Sequence, residues 1–436
     1  MNTKGRTPSK SWSAMFFLYV IFAMNANGRE LINRISPYIV DTFNVTADQI
    51  GLFGTVSGIG MVLGGIPLAR WVEKGGHGPD MKKRVVFMSV GYLLCMCLCG
   101  VPGIASTFVA LLIFQGLRGV FSSPGETVEC STLTEWWPKE KNGFALGFHH
   151  TAYPWGTLVG GLLVTGLLVL VGDEHWQMTF FIFPVLGVLI WLGFWKFSSK
   201  KNYTEFEKQC KENELTPPLE SVGGAESVKQ VPLTEVLKNK QVLLAAGMGF
   251  CCQYSLVGYM FWLPLYLAFV AGYSFTASAS ISLVFTITAG LGQIIWGKLA
   301  DKIGVYKVLL ICFIWLAILF YAFKLAVNGI TWIIVLQLLL GCCSNAVYPV
   351  IYKRAQDVVP DNANVTGLSI VTTGIFIGAA IATYFTGLLI KVGGGFESVT
   401  GYNFGILCMS LVMVVAVILL IISHVIEKKE KKQTTK

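Results

Sequence analysis

Charge is what this chain has least of. Only 13% of its 436 residues are Asp, Glu, Lys or Arg, against roughly a quarter in an ordinary soluble domain. It also lacks the loops and spacings that mark most enzymes. No Gly-rich loop ends in GKS or GKT, which excludes a P-loop ATP motor, and neither HExxH nor a nucleophile elbow occurs. The 5 His and 11 Cys show no zinc or redox spacing. Most of the cysteines, such as Cys95, Cys97, Cys99, Cys342 and Cys343, lie in apolar runs and read as small fillers of helix interfaces. The sequence therefore predicts no enzyme, no metal and no cofactor.

What fills the chain is apolar surface. Hydrophobic residues make up 54%, with 29 Phe, and the mean hydropathy is +0.63. Runs long enough to cross roughly 30 Å of hydrocarbon as helices recur almost throughout, and they are too continuous for alternating barrel strands. They predict an all-α polytopic membrane protein with twelve spans. We place these near residues 14–40, 48–70, 84–102, 105–130, 143–171, 176–197, 242–270, 275–298, 304–325, 329–354, 363–391 and 401–424. The first is interrupted by charge and lacks a small-residue cleavage site, so it reads as retained.

Basic residues gather in alternate loops. Lys4, Arg6 and Lys10 precede the first span, and Arg70, Lys74, Lys82, Lys83 and Arg84 follow the second. Lys139, Lys141, Lys298, Lys302, Lys307, Lys353 and Arg354 continue the series, and Lys428 to Lys432 end it. The opposite loops hold little beyond Lys324 and Lys391. Both termini are therefore expected in the cytoplasm. The net charge of +9 is mostly this topological signal, directed at anionic headgroups rather than at nucleic acid.

A polar, Pro- and Gly-containing stretch at 198–241 divides the chain into six-helix sets at 1–197 and 242–424, followed by a basic tail at 425–436. The sets repeat a motif. Gly65-Ile-Pro-Leu-Ala-Arg70-Trp follows the second span, and Gly297-Lys298-Leu299-Ala300-Asp301-Lys302-Ile303-Gly304 follows the eighth. Those loops resemble the signature of the major facilitator superfamily, and the resemblance covers essentially the whole chain. It implies two pseudo-symmetric bundles working by alternating access, with Gly297, Asp301, Lys302 and Gly304 as a conformational gate. In the first copy Arg70 stands where the acid is usual, with Glu73 or Asp80 as substitutes.

Further residues resemble the anion:cation symporter family within that superfamily. Arg29 stands eight residues before Pro37, Trp136-Trp137-Pro138-Lys139-Glu140-Lys141 follows the fourth span, and Tyr259-x-x-Trp262-Leu263-Pro264 lies in the seventh. The departures are as informative. Gly28 occupies a usual Asp position, and Gln115 and Ser122 fall at a usual Arg and Glu. The familiar coupling carboxylates are thus missing from their expected places.

The candidate site is read from polar residues inside spans, where each ionisable group costs roughly 2.5–3.5 kcal/mol on insertion scales and marks a pathway or site. Asn25, Arg29 and Asn33 stack at four-residue spacing on one helix face. Arg29 suits a carboxylate, sulfonate or phosphate, bound through two parallel hydrogen bonds. The plainer alternative is an interhelical salt bridge. Glu30 precedes Arg34 by four residues, so those two can pair and leave Arg29 over.

In the fourth span Arg118, Ser122 and Glu129 fall within about 40° of one another, and Glu126 about 80° away. Pro124 and Gly125 interrupt that helix, as in transporter helices that line a cavity. Glu126, Glu129 and Glu30, with His149 and His150, are the candidates for carrying a proton. Glu129 has a second reading as a capping or gate charge, and the histidines as simple hydrogen-bonding groups. Gln253, Tyr259, Asn345 and Tyr348 supply neutral contacts from the second half.

The expectation is a secondary active transporter for a small organic anion, with sugar acids and carboxylates leading by resemblance. Its other partners would be a proton or another coupling cation and the lipid bilayer. One chain would hold a complete pathway and work as a monomer, in a bacterial inner membrane. An anion exchanger using Arg29 and Arg118 together is the close rival. A non-transporting membrane solute sensor is the remote one.

Overall fold

A computed structural model describes residues 5–73, 79, 93–101, 103, 104, 106–123, 125–218, 236–356 and 364–434. No strand occurs among them. Backbone groups in hydrocarbon have no water to bond, and a helix satisfies them within one segment. The first two spans are α1 (Ser9–Phe43) and α2 (Ala47–Glu73), and α3 (93–100) is the described part of the third. The fourth is α4 (Phe108–Ser122) plus α5 (Gly125–Glu135), the fifth α6 (Asn142–His150) plus α7 (Ala152–Val171), and the sixth α8 (Ile182–Phe197). After α9 (Lys200–Glu212) come α10 (Lys240–Phe269), α11 (Phe275–Ile281), α12 (Val284–Ile303) and α13 (Val305–Ala322). The chain ends with α14 (Ile330–Ser344), α15 (Val347–Gln356), α16 (Asn364–Val392) and α17 (Val399–Thr434). Among the described residues, helix thus occurs at each of the twelve expected positions, with only 93–100 of the third described. Eight of the spans, from the fifth onward, are long and apolar enough to cross a membrane.

Among the described residues four spans are broken, at 123, 151, 282–283 and 345–346. Each break carries a hydroxyl that turns back on its own helix. Ser123 Oγ donates to the Val120 carbonyl at 2.8 Å, Thr151 Oγ1 to Phe148 at 2.7 Å, Ser282 Oγ to Ala279 at 2.8 Å and Ser344 Oγ to Gly341 at 3.2 Å. Such back-bonding competes with the ladder and bends helices. Only the fourth-span break has a Pro-Gly signal in the sequence.

The chain forms two compact units, Met1–Ile32 with Gly60–Val228 and Asn33–Ile59 with Lys229–Lys436. Within the second, the seventh-span helix α10 runs along α16 and α17. Ser255 Oγ donates to the Met409 carbonyl at 2.9 Å, and the Trp262 indole to the Thr383 carbonyl at 3.2 Å. The early part of α2 packs on α16 in the same unit. Thr383 Oγ1 donates to the Gly51 carbonyl at 2.7 Å, a Cβ at Gly54 or Gly58 would strike Thr383 or Ala380, and Lys391 pairs with Asp48 at 3.0 Å. The glycines of the fifth span serve a different seam, where Gly156 and Gly160 press on Ala23 and Asn27 of α1 in the first unit.

The stretch read from sequence as a polar linker contains a docked helix. Ser199 caps α9, accepting from the Asn202 amide at 3.4 Å. Tyr203, Phe206 and Cys210 are spaced for one face and are buried. That face covers Trp136, whose ring lies 5.0 Å from Tyr203 and 5.9 Å from Phe206. The Tyr203 phenol donates to the Glu135 carbonyl at 3.1 Å. Burial, with Glu207 and Glu135 nearby, pushes its pKa up and keeps it a neutral donor. Lys10 pairs with Glu205 at 3.1 Å, and the Thr216 amide donates to both Glu140 oxygens at 3.2 and 3.3 Å. Trp136-Trp137-Pro138-Lys139-Glu140-Lys141 is therefore the seat of a helix, a role its sequence did not reveal.

Hydrogen bonding from Thr216 holds the Glu140 carboxyl below its ordinary value. A depressed carboxyl stabilises above the ordinary range and loses that contribution as pH falls through the lowered value. Trp136→Ala removes a buried indole, a change that costs about 3–5 kcal/mol in protein cores. Limited trypsin digestion should then cut at Lys200, Lys201, Lys208 and Lys211 many times faster than in the parent. Glu140→Gln should speed the same cleavage slightly at neutral pH and remove its acid dependence.

Candidate functional site

The site residues divide between the two units. In the first, Arg29 projects from the middle of α1. Its Nε and Nη2 are shielded from solvent and meet no hydrogen-bond partner among the described residues. These two nitrogens form the side-on edge of the guanidinium, the pair that grips a carboxylate or phosphate through parallel bonds. The salt-bridge alternative finds no support here, because no carboxylate among the described residues is paired with Arg29. Its neighbour Glu30 is held across the bundle instead, with the Tyr153 hydroxyl of α7 donating to Glu30 Oε1 at 2.7 Å.

Arg118 is also buried, at 3% exposure, but its Nε donates to Gln115 Oε1 at 2.7 Å. Gln115 in turn reaches the Cys99 sulfur at 3.4 Å. The glutamine that departs from the family pattern thus orients the neighbouring arginine. Arg29 and Arg118 are therefore not equivalent, since only Arg29 presents an unengaged edge.

Asn25 and Glu129 come together at the start of α5. A Cβ on Gly125 would collide with the Asn25 amide and lie 3.6 Å from Glu129 Oε1. Glu129 is 2% exposed, well inside the helix pair rather than at a solvated cap. His149 is fully buried and stacked on Phe22, with centroids 4.9 Å apart, and His150 Nδ1 lies 2.8 Å from the Leu146 carbonyl. The side chain of Glu126 lies outside the described ones.

In the second unit the neutral candidates separate into two places. The Tyr348 hydroxyl donates to Gln253 Oε1, and Asn345 is buried at the tenth-span break. Tyr259 sits elsewhere, ringed by the edges of Phe285, Phe320 and Phe323 at 5.1–5.9 Å. Its hydroxyl has no partner among the described residues, and Tyr259 lines a small cavity with Trp262, Tyr266, Thr386 and Tyr402. Asn33, also in this unit, receives the Ser36 hydroxyl on its carbonyl at 2.8 Å.

The gate residues are placed unevenly. Gly304 ends α12 with φ +93, a left-handed conformation that favours glycine. Gly297 has open space where a Cβ would stand, and Lys302 is exposed. The side chains of Asp301, Arg70 and Glu73, and all of Asp80, lie outside the described set.

The model of the Major Facilitator Superfamily matches the chain over residues 15–290 and again over 274–436. The chain belongs to that superfamily. It is a multi-pass membrane transporter and not an enzyme. Among its relatives is the phosphoglycerate transporter protein of Salmonella typhimurium, 25% identical over 429 residues, covering 94% of this chain and 89% of that one. The hexuronate transporter of Bacillus subtilis is 25% identical over 294 residues. That match covers 67% of this chain and 64% of the relative, under two thirds of its length.

Solved facilitators share the fold. A bacterial homolog of the human lysosomal transporter Spinster superposes with a TM-score of 0.73 at 16% identity, over 96% of this chain and 98% of that one. The xylose transporter XylE from E. coli gives 0.71 at 12% identity, over 95% and 97%.

Gly125→Ala tests the packing at the facilitator's fourth span. The added methyl should displace the Asn25 amide and destabilise by about 1–3 kcal/mol, seen as a lowered thermal midpoint. Asn25→Ala in the same chain should recover most of that loss, because the two changes share one space. Additive losses would show that the two residues do not meet.

Proposed function

We propose that this facilitator moves a small organic anion across the membrane and that Arg29 is its principal ligand. The observation that carries the reading is the unengaged side-on edge of the Arg29 guanidinium. A charged donor pair shielded from water and unmatched among the described residues is costly, and an anionic substrate would match both nitrogens at once. Relatives named for phosphoglycerate, hexuronate and cis,cis-muconate transport support an anion carrying carboxylate or phosphate. Asn25 would help orient it, and Gln253, Tyr348 and Asn345 are proposed as neutral substrate contacts offered by the second unit. Tyr259 would act through its cavity.

Uptake is proposed to be coupled to protons. An inside-negative potential opposes anion entry by about 2.3 kcal/mol per charge per 100 mV, and a co-transported proton offsets that. Glu129 and Glu30 are the proposed proton carriers, with Glu126, His149 and His150 as further members of the relay. Protonation of a carboxylate near Arg29 would leave the guanidinium to the substrate, and deprotonation would release it. We further propose a bacterial inner membrane, cytoplasmic termini and a functional monomer, with Asp301, Lys302 and Gly304 gating the cytoplasmic side. A second reading, anion exchange, draws on the hexose-6-phosphate:phosphate antiporter among the relatives.

Uptake by proteoliposomes decides between them. A panel of radiolabelled sugar acids, carboxylates and phosphate esters should show accumulation driven by an inward proton gradient. Arg29→Ala should abolish it and Arg29→Lys should leave a small remnant, because a lysine cannot reproduce the fork. Gradient-independent counterflow would select the exchanger. Undiminished uptake by Arg29→Ala would remove the anion site.

A further inference from the structure

We propose that Cys130, His149 and His150 form a binding site for a thiophilic divalent cation of the zinc class. The sulfur and one ring nitrogen from each histidine all lie within 4.8 Å of one another. Cys130 is on α5 and the histidines end α6, so the group joins the fourth span to the fifth within one unit. Donors around a tetrahedral zinc stand about 2.0–2.3 Å from the metal. A contraction of about an ångström therefore brings these three onto one ion.

The surroundings suit a ligand set. His150 Nδ1 lies 2.8 Å from the Leu146 carbonyl, which makes Nδ1 the protonated nitrogen and leaves Nε2 as the one with a lone pair to offer a metal. A backbone acceptor of this kind fixes the tautomer of most metal-bound histidines. His149 is held by its stack on Phe22 and is fully buried, whereas Cys130 and His150 are only half-buried and leave a way in. One thiol and two imidazoles favour zinc or copper over magnesium or calcium, which take oxygen. The thiol must ionise to bind, so one proton leaves for each cation taken up. The fourth position is left to water or an added anion.

The site stands about five residues from the end of α5 and seven from the start of α6. At 1.5 Å per residue it lies roughly 8–12 Å from the loop that joins the two helices, within reach of an ion arriving from that side. A bound cation would clamp the two helices together below the Gly125 break. The inference is independent of which solute is carried, and it replaces the relay role of His149 and His150, since an imidazole nitrogen that holds a cation cannot pass a proton on.

Cobalt titration of the purified full chain tests it without reference to transport. We expect one cation per chain and a thiolate-to-cobalt charge-transfer band, absent in Cys130→Ser and needing at least about tenfold more metal in His150→Ala. X-ray absorption of the zinc-loaded parent needs no variant and should show one sulfur near 2.3 Å with nitrogens near 2.0 Å. An unchanged band in Cys130→Ser, or a zinc shell without sulfur, would overturn the proposal.

Discussion

Hydrocarbon offers no hydrogen bonds, and that one constraint orders the rest of this protein. It forces the backbone into helices, and it makes every departure from the ladder depend on a local substitute. The four mid-span breaks are tolerated because Ser123, Thr151, Ser282 and Ser344 each return a hydroxyl to a carbonyl three residues back. Glycine plays the complementary part. Where α2 meets α16, and α7 meets α1, the absence of a Cβ lets polar backbone and side-chain groups come close enough to satisfy one another.

Several of the candidate site groups are matched within the protein, and the Arg29 edge, like the Tyr259 hydroxyl, is not matched among the described residues. Glu30 is bonded by Tyr153, Arg118 by Gln115, and Gln253 by Tyr348. The last of these pairs couples two groups that the sequence alone had offered separately as ligands. Within the first unit, the Glu30–Tyr153 and Arg118–Gln115 pairs hold those groups still while one Arg29 edge stays available. A rigid surround also limits what the site must reorganise when an anion arrives, which is how preorganisation converts contacts into affinity.

Much of this was legible beforehand, for identifiable reasons. Span length and the scarcity of charge gave the twelve helices, because hydropathy is a strong signal over about 20 residues. Four-residue spacing put Asn25 and Arg29 on one face, and elimination of Glu30 singled out Arg29. Three of the breaks escaped because a back-bonding Ser or Thr looks like any other small polar residue. Helix α9 was hidden by its charge, although Tyr203, Phe206 and Cys210 already carried an amphipathic period. Cys130 was passed over because no local spacing links it to His149. Their meeting is a property of the hairpin between the fourth and fifth spans.

The docked α9 also bears on how the protein is made. Everything that α9 rests on precedes it in the chain: Lys10, Glu135, Trp136 and Glu140 all lie upstream of Tyr203. Domains form in order as the ribosome delivers them. Once residue 216 has emerged, the first unit already owns the cover for its polar end. That docking does not wait for α10, whereas the early part of α2 packs on α16 and cannot settle until the eleventh span has been made.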